Sequence, residues 1–323
     1  MIMSEPLISI VMPVYNAAQF LARSIESVLA QTYKNIELVI VDDASTDNSW
    51  EIIQNYALRD KRIKAQTIPF VDGPKVTRDC AIRHALGDWI VSVDSDDTIE
   101  PDYVKKLWNR HLETGADFIG PKRVLVDENG NELGSSVPGV GFDYSAVLSG
   151  TAAMLRILSY WQFATGGALW NRSVMTNVSP EGTKYDYADE YDDRVYLNNC
   201  ERAAFVEARY FYTQNTHSCT HKKSVHYYTY VLFNKIKLKE YFDLQYGCAN
   251  VLSIYFSEEV VKEYECFFQK LVRFCLLNRL KLNDDIRSML AKAYSIYRNN
   301  NIQKKHLKVQ YYRFLWFILR KYC

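Results

Sequence analysis

The stretch ISIVMPVYN, residues 8–16, decides the fold because it joins an apolar strand to a polar turn. Residues 8–14 are apolar almost without interruption, which is typical of a strand buried on both faces of a sheet. A helical pattern follows at residues 18–30, and a second apolar run follows at residues 36–41. The order strand, helix, strand predicts a βαβ unit with parallel strands.

The alternation of strands and helices continues along the chain. The pattern predicts a strand at residues 62–68, a helix at 76–86 and another strand at 88–93. We therefore predict an α/β fold with a Rossmann-like, mostly parallel sheet and helices on both faces. Ligands of such sheets bind beyond the carboxyl ends of the strands.

Polar clusters follow three of the predicted strands. They are Pro13-Val14-Tyr15-Asn16, Asp42-Asp43-Ala44-Ser45-Thr46-Asp47 and Asp94-Ser95-Asp96-Asp97. Any one of them is explained equally well as a turn or a helix cap. Three at successive strand ends indicate a functional site. The sequence contains neither GxGxxG nor GxxxxGK[ST], so the phosphate-binding loops of dinucleotide and P-loop proteins are not expected.

The third cluster has the spacing of a metal site. One residue separates Asp94 from Asp96, so a bend directs both carboxylates towards one hard divalent cation. A further acidic cluster lies at residues 186–193 and is followed by a helical pattern. This cluster contains five carboxylates, Asp186, Asp189, Glu190, Asp192 and Asp193. The helix dipole favours acidic side chains in a first turn, which explains some of the five but not all of them.

The motifs at residues 10–16, 27–33, 41–47 and 94–97 resemble those of the family 2 glycosyltransferases in order and spacing. The resemblance covers roughly residues 6–221. It implies the glycosyltransferase A fold and a metal-dependent, hexosyltransferase-type enzyme that uses Mn2+ or Mg2+. It further implies that a sugar passes, with inversion, from a nucleotide-diphosphate donor, with UDP the expected nucleotide, to an acceptor hydroxyl.

The resemblance also implies roles for the residues after the strands. Pro13 and Tyr15 should line the nucleoside pocket, and Asp43 should accept a hydrogen bond from the base. Asp96 should bind the metal, with Asp94 close to the ribose or the metal. The remaining residues of the expected donor site are Ser95 and Arg78.

The chain departs from the family pattern between these motifs. Arg78 is retained where the family meets the base or the diphosphate, although a solvated helix cation is the alternative. Asp79 replaces a usual Asn, and Ala81 replaces a common Gly. These departures make the donor sugar less certain than the donor class.

The acceptor side is predicted from three segments. Asp192-Asp193 resembles a Glu-Asp motif whose second carboxylate is the usual general base, so the base is expected at Asp193, with Asp192 in the Glu position. Segment 166–172 resembles a strand beneath the donor sugar and the acceptor, while core packing explains Trp170 equally well. His217 is either a third metal ligand or phosphate contact, or an ordinary surface histidine.

Charge divides the chain of 323 residues into two parts. Residues 222–323 carry a net charge of +11 and residues 1–221 a net charge of −10. We therefore predict a nucleotide-sugar-binding catalytic domain at 1–221 and a helical, basic and aromatic region at 222–323. The overall charge is close to zero and no nucleic-acid motif is present, so no nucleic-acid partner is expected.

The C-terminal tail combines cations with aromatic residues. Residues 286–323 contain nine Lys or Arg and no acid, and five aromatic side chains follow from residue 311 to residue 317. This composition favours a helix on an anionic membrane surface, and the alternative is a helix packed on its own domain.

The sequence also predicts where the protein acts and which pathway it serves. Seven cysteines without a CxxC pair fit a reducing cytosol. The N-terminus shows no signal-peptide pattern, and no stretch is apolar enough to span a bilayer. We expect a cytoplasmic enzyme, peripheral on the inner membrane face, that builds surface polysaccharide on a saccharide or lipid-linked saccharide acceptor. The alternatives are a catalytically silent sugar-nucleotide-binding or scaffold protein and a nucleotidyltransferase.

Overall fold

A computed structural model describes residues 5–70, 74–157, 165–176, 189–215, 225–278, 282 and 284–300. The chain forms two compact units. One comprises Met1–Lys184 with Asp192–Thr216, and the other comprises Tyr185–Tyr191 with His217–Cys323.

The described residues contain ten strands and ten helices. The strands are β1 (Ile8–Val14), β2 (Ile36–Asp42), β3 (Ile63–Thr67), β4 (Trp89–Ser92), β5 (Thr98–Ile99), β6 (Phe118–Val126), β7 (Glu132–Val137), β8 (Val147–Ser149), β9 (Leu169–Asn171) and β10 (Arg202–Thr213). The helices are α1 (Ala18–Leu29), α2 (Ser49–Arg59), α3 (Pro74–His84), α4 (Tyr103–Thr114), α5 (Gly150–Arg156), α6 (Arg172–Thr176), α7 (Asp189–Asn199), α8 (Val225–Tyr246), α9 (Val251–Asn278) and α10 (Asp284–Asn300).

All ten strands belong to one mixed, mostly parallel sheet. Its order is β3-β2-β1-β4-β9-β6-β10-β5, with β7 beside β6 and β8 beside β10. Strands β1 to β4 run parallel, whereas β9 runs antiparallel to both of its neighbours. The predicted sheet class is confirmed, and β5, β7, β8 and β9 run opposite to the other six strands.

Helices cover both faces of this sheet because side chains alternate along a strand. From β1, Ile8, Ile10 and Met12 pack into a core with Leu21 and Ile25 of α1. The opposite face of the same strands packs against α3, in a second core that contains Val11, Val39, Val41, Cys80 and Ala81. This two-sided burial explains why β1 and β2 are mostly apolar, and the buried Ser9 and Glu37 hydrogen-bond to each other across the two strands.

The second unit contains three long helices, α8, α9 and α10. Their core is rich in aromatic side chains and includes Phe233, Tyr264, Phe268 and Tyr297. Lys235 lies between two carboxylates of α9, with its Nζ 2.5 Å from Glu259 and 3.2 Å from Glu263. Within the described part of the chain, no helix has the length and apolar character that crossing a bilayer requires.

Candidate active site

The loops after β1 and β2 form one side of the site. These strands pair in parallel, with Val14 opposite Asp42, so both loops leave the sheet at the same edge. The backbone N–H of Asp43 donates to the carbonyl oxygen of Val14 at 2.8 Å. Asp43 is buried, whereas Tyr15 is 46% exposed and available to a ligand.

Hydrogen bonds fix the shape of these two loops. Asn16 and Ala44 both have positive φ, at 48° and 51°, a conformation that L-residues seldom adopt. Asn16 donates its backbone N–H to the Oγ of Ser45 at 2.9 Å, and its Oδ1 accepts from the backbone N–H of Thr46 at 2.8 Å. The Oδ2 of Asp47 accepts from the backbone N–H of Ala18 at 3.0 Å, at the start of α1. Burial by itself would raise the pKa of Asp47, but hydrogen bonds from Ser49 and Ala18 lower it.

An exposed aromatic pair lies at the same edge. The rings of Tyr15 and Phe70 are 5.1 Å apart between centroids, and Phe70 is 52% exposed. Sequence reasoning missed Phe70. Its position three residues after β3 was the available signal, since β3 is parallel to β2 and ends at the same edge.

The loop after β4 holds Asp96 and Asp97 by different contacts. Asp97 is fully buried, and its carboxylate accepts from the Tyr210 hydroxyl at 2.7 Å and from the Thr213 backbone N–H at 2.8 Å. Asp96 accepts from the side-chain amide of Asn215 at 2.5 Å. The side chain of Asp94 is 43% exposed, and its Oδ1 is 3.2 Å from Nη2 of Arg78. Asp97 therefore has a structural role, whereas Asp94 is open to a ligand.

Burial and neighbouring negative charges raise the pKa values of two carboxyl groups in this loop. Burial, followed by the charge of Asp94, raises the pKa of Asp96 to about 6. Burial and the charges of Asp96 and Asp94 hold the pKa of Asp97 well above its usual range. An ionised Asp96 beside Asp94 is thus electrostatically unfavourable, and a divalent cation would relieve the repulsion.

The loop after β4 offers some of the ligand atoms that a hard divalent cation needs. Asp94 and Asp96 offer carboxylate oxygens, the ligands that Mg2+ and Mn2+ prefer. Among the described residues, no group of three or more His, Cys, Asp or Glu side chains forms a metal site. The described residues would therefore supply two ligands, and Mg2+ commonly completes its coordination with phosphate oxygens and water. His217, the predicted third ligand, lies outside the described residues.

The two carboxylates predicted for the base have different partners. Asp193 accepts a hydrogen bond from the Thr165 hydroxyl. Asp192 is buried and forms an ion pair with Lys75, 2.6 Å from its Nζ. The ammonium group of Lys75 neutralises Asp192 and competes with a proton for its carboxylate, which favours Asp193 as the proton acceptor.

Tyr196 lies close to both the predicted general base and the predicted donor residue Arg78. Burial raises the pKa of Tyr196 strongly, and the charges of Asp192, Asp79 and Asp193 raise it further, while Arg78 acts in the opposite direction. Arg78 is also the ion-pair partner of Asp94. The structure therefore brings the predicted base, Arg78 and the loop after β4 into one region.

Gly167 packs against Tyr210, the residue whose hydroxyl binds the loop after β4. It has φ of +81°, and its carbonyl oxygen accepts from the Tyr103 hydroxyl at 2.6 Å. A Cβ atom at this position would overlap the Tyr210 ring, whereas a Cβ at Gly166 would meet nothing within 4 Å. Tyr210 in turn accepts from the Asp94 N–H and donates to Asp97. Trp170, in the next strand, packs in the core against Phe118.

The two adjacent glycines provide a matched test. Gly167→Ala should lower the free energy of unfolding by about 3 kcal/mol, because left-handed backbone and overpacking act together. Gly166→Ala should change it by less than about 0.5 kcal/mol, since nothing contacts the added methyl group. Urea unfolding of both variants measures the difference. Equal stability of the two variants would contradict the role given to Gly167.

The chain is similar to known proteins in both its sequence and its fold. A family model described as "Glycosyl transferase family 2" matches residues 9–171, about half of the chain. A glycosyltransferase of Haemophilus influenzae is 40% identical over 148 residues, which cover 46% of this chain and 59% of that protein. The Escherichia coli protein named UDP-Glc:alpha-D-GlcNAc-diphosphoundecaprenol beta-1,3-glucosyltransferase WfaP is 30% identical over 223 residues, covering 68% of this chain and 79% of that protein.

The fold resembles that of a solved structure over most of its length. S. aureus TarS 1–349, crystallised with UDP-GlcNAc, superposes with a TM-score of 0.60 at 16% identity, and the match covers 93% of each chain. By sequence, the chain spans about half the length of the first curated relatives, 59% of one and 46% of the next. The predicted glycosyltransferase A fold and the predicted family resemblance are both confirmed.

Proposed function

The chain belongs to the family 2 glycosyltransferases, and on this premise we propose that it moves a sugar, with inversion, from a UDP-sugar to a hydroxyl group of a lipid-linked saccharide. The reaction would serve the synthesis of a surface polysaccharide. One observation supports the proposal above all others. Ends of parallel strands bring Tyr15, Asp43 and Asp94 to one sheet edge, and Arg78 links Asp94 to the region of Asp193.

Each part of the site has a task in this proposal. The exposed Tyr15 and Phe70 rings offer apolar surface to the nucleobase of the donor, and the buried Asp43 fixes the orientation of that nucleobase. Arg78 lies close to the position of the diphosphate and stabilises its charge as the donor bond breaks. Asp193 accepts the proton of the attacking hydroxyl, which makes the oxygen a stronger nucleophile.

We further propose that Asp96 and Asp94 hold Mn2+ or Mg2+. The metal, when bound, would neutralise charge on the leaving diphosphate. The protein's own contribution is the loop geometry, since Asn215 orients Asp96 and Arg23 donates to the Asp96 backbone carbonyl oxygen at 3.1 Å.

The names of the relatives guide the choice of substrates. WfaP is named for UDP-Glc and a diphosphoundecaprenol-linked GlcNAc, and a second E. coli relative, WfgD, carries the same description at 42% identity. A Bacillus subtilis relative is named for teichuronic acid biosynthesis. These names favour a transferase over a silent binding protein or a nucleotidyltransferase.

A donor panel tests the proposed function directly. UDP-, GDP- and dTDP-sugars are incubated with the full-length protein, Mn2+ and a polyprenyl-diphosphate saccharide, and product is detected by mass spectrometry. We expect transfer from at least one UDP-sugar, with an inverted anomeric configuration by NMR. Retention of configuration, or synthesis of a nucleotide sugar from a sugar phosphate, would contradict the proposal.

The C-terminal tail is proposed to bind the anionic surface of the membrane that holds the acceptor. Removing residues 304–323 deletes six Lys or Arg and no acid. Each cation near an anionic bilayer contributes about 1 kcal/mol, so the truncated protein should cosediment much less with phosphatidylglycerol vesicles. Donor hydrolysis in solution should persist. Unfolding or aggregation of the truncated protein would instead indicate a tail that packs on its own domain.

A further inference from the structure

Lys75 is a buried cation that joins two helices. It lies in α3 and is 7% exposed. Its Nζ is 2.8 Å from Asp79, one turn along the same helix, and 2.6 Å from Asp192 in α7. One ammonium group therefore connects the helix that carries Arg78 to the helix that carries Asp193.

The charges in this bridge depend on one another. Burial by itself would lower the pKa of Lys75, but the charges of Asp192 and Asp79 more than offset this effect and raise it. Lys75 therefore stays protonated throughout the pH range in which enzymes work. Removing one partner of such a buried pair leaves an uncompensated charge, which is strongly destabilising.

The bridge lies directly beside the proposed base. Asp193 follows Asp192 in the chain, and its carboxylate accepts from the Thr165 hydroxyl. The charges that act on nearby Tyr196 are those of Asp192, Asp79, Asp193 and Arg78. Lys75 pairs with Asp192, Asp94 pairs with Arg78, and Arg194 of α7 donates to the Ile157 carbonyl oxygen. Without Lys75, this set would contain one more uncompensated negative charge close to Asp193.

We propose that Lys75 is a positioning residue for the base: it ties α7 to α3 and neutralises Asp192, so that Asp193 remains in place and ionised. The inference rests on the proposed function. Asp79 and Asp192 are the two carboxylates that Lys75 bridges.

Hydrogen exchange tests the tie without any substrate. In Lys75→Met, the amides of residues 192–199 should exchange at least about tenfold faster than in the wild type, because loss of a buried ion pair frees the helix to open. Lys235→Met is the matched control. Lys235 also bridges two carboxylates, but it does so in the second unit, so the exchange of residues 192–199 should not change.

The pH profile of transfer tests the electrostatic role. An uncompensated Asp192 raises the pKa of Asp193, and a base with a raised pKa needs a higher pH to ionise. The acidic limb of kcat should therefore move up by about one pH unit in Lys75→Met. In Lys75→Met/Asp192→Asn the limb should return, since the added negative charge is gone. All profiles are recorded at saturating Mn2+, which favours the ionised form of Asp96, so the acidic limb reports on Asp193.

The outcomes separate this inference from the proposed function. Unchanged exchange in Lys75→Met, or an acidic limb that stays at the wild-type pH, would overturn the inference. If Lys75→Met does not fold, Asp192→Asn decides, because it weakens the tie to α3 without adding a negative charge. Residues 192–199 should then exchange faster than in the wild type, and unchanged exchange would overturn the inference. If the wild type transfers no sugar, the proposed function fails, and the exchange experiment still decides whether Lys75 ties α7 to α3.

Discussion

Replacing Asp193 with asparagine should lower kcat for sugar transfer by at least about 100-fold, the usual loss when a general base is removed. The amide keeps the shape of the side chain and still accepts the hydrogen bond from Thr165, but it cannot take the proton of the acceptor hydroxyl. Donor affinity, measured by calorimetry with the UDP-sugar, should remain within about twofold, because this interaction acts in the transition state only.

Asp192→Asn is the comparison for this variant. It weakens the ion pair with Lys75 and should reduce kcat much less than Asp193→Asn does. An inactive Asp192→Asn together with a normal Asp193→Asn would show that the base is the neighbouring residue. Both variants should be measured at saturating donor and acceptor, so that kcat reports the chemical step.

The second large effect is expected at the loop after β4. Asp96→Ala should abolish Mn2+-dependent turnover of the nucleotide sugar, because Asp94 alone holds the cation weakly. Thermal unfolding should change little. The partly buried Asp96 has a raised pKa, so its ionised form is unfavourable in the folded protein, and losing that charge offsets the lost hydrogen bond to Asn215.

Asp97→Ala is a matched control one residue away. Asp97 is fully buried and accepts from Tyr210 and from the Thr213 backbone, so its removal should lower the free energy of unfolding by about 3 kcal/mol. Full activity of Asp96→Ala in the presence of a chelator would rule out the metal assignment. In the wild type at subsaturating Mn2+, activity should fall as the pH drops through about 6, because a protonated Asp96 cannot bind a cation.

Local patterns account for the part of the fold that is predictable from the sequence. Strand β1 is predicted at the bounds that the structure has, since a short, continuous apolar run that ends at a polar turn strongly favours a buried strand. Strands β9 and β10 are harder to predict. Their neighbours in the sheet are distant in sequence, and β9 is only three residues long.

The residues of the candidate site also fall into two groups, those that local sequence patterns predict and those that they do not. Asp43, Asp94, Asp96 and Asp193 stand out in the sequence because each belongs to a short motif with fixed spacing. The partners of these residues do not stand out, because contacts such as Asp96 with Asn215 and Lys75 with Asp192 join segments far apart in the chain. Sequence patterns can indicate which residues act, while the residues that orient them depend on the tertiary structure.

The hydrogen bonds between the loops after β1 and β2 have a thermodynamic consequence for ligand binding. Asn16, Ser45, Thr46 and Asp47 hold both loops in shape before any nucleotide arrives. The conformational entropy of these loops is therefore lost on folding and not on association. We expect UDP alone to bind with a small entropic penalty.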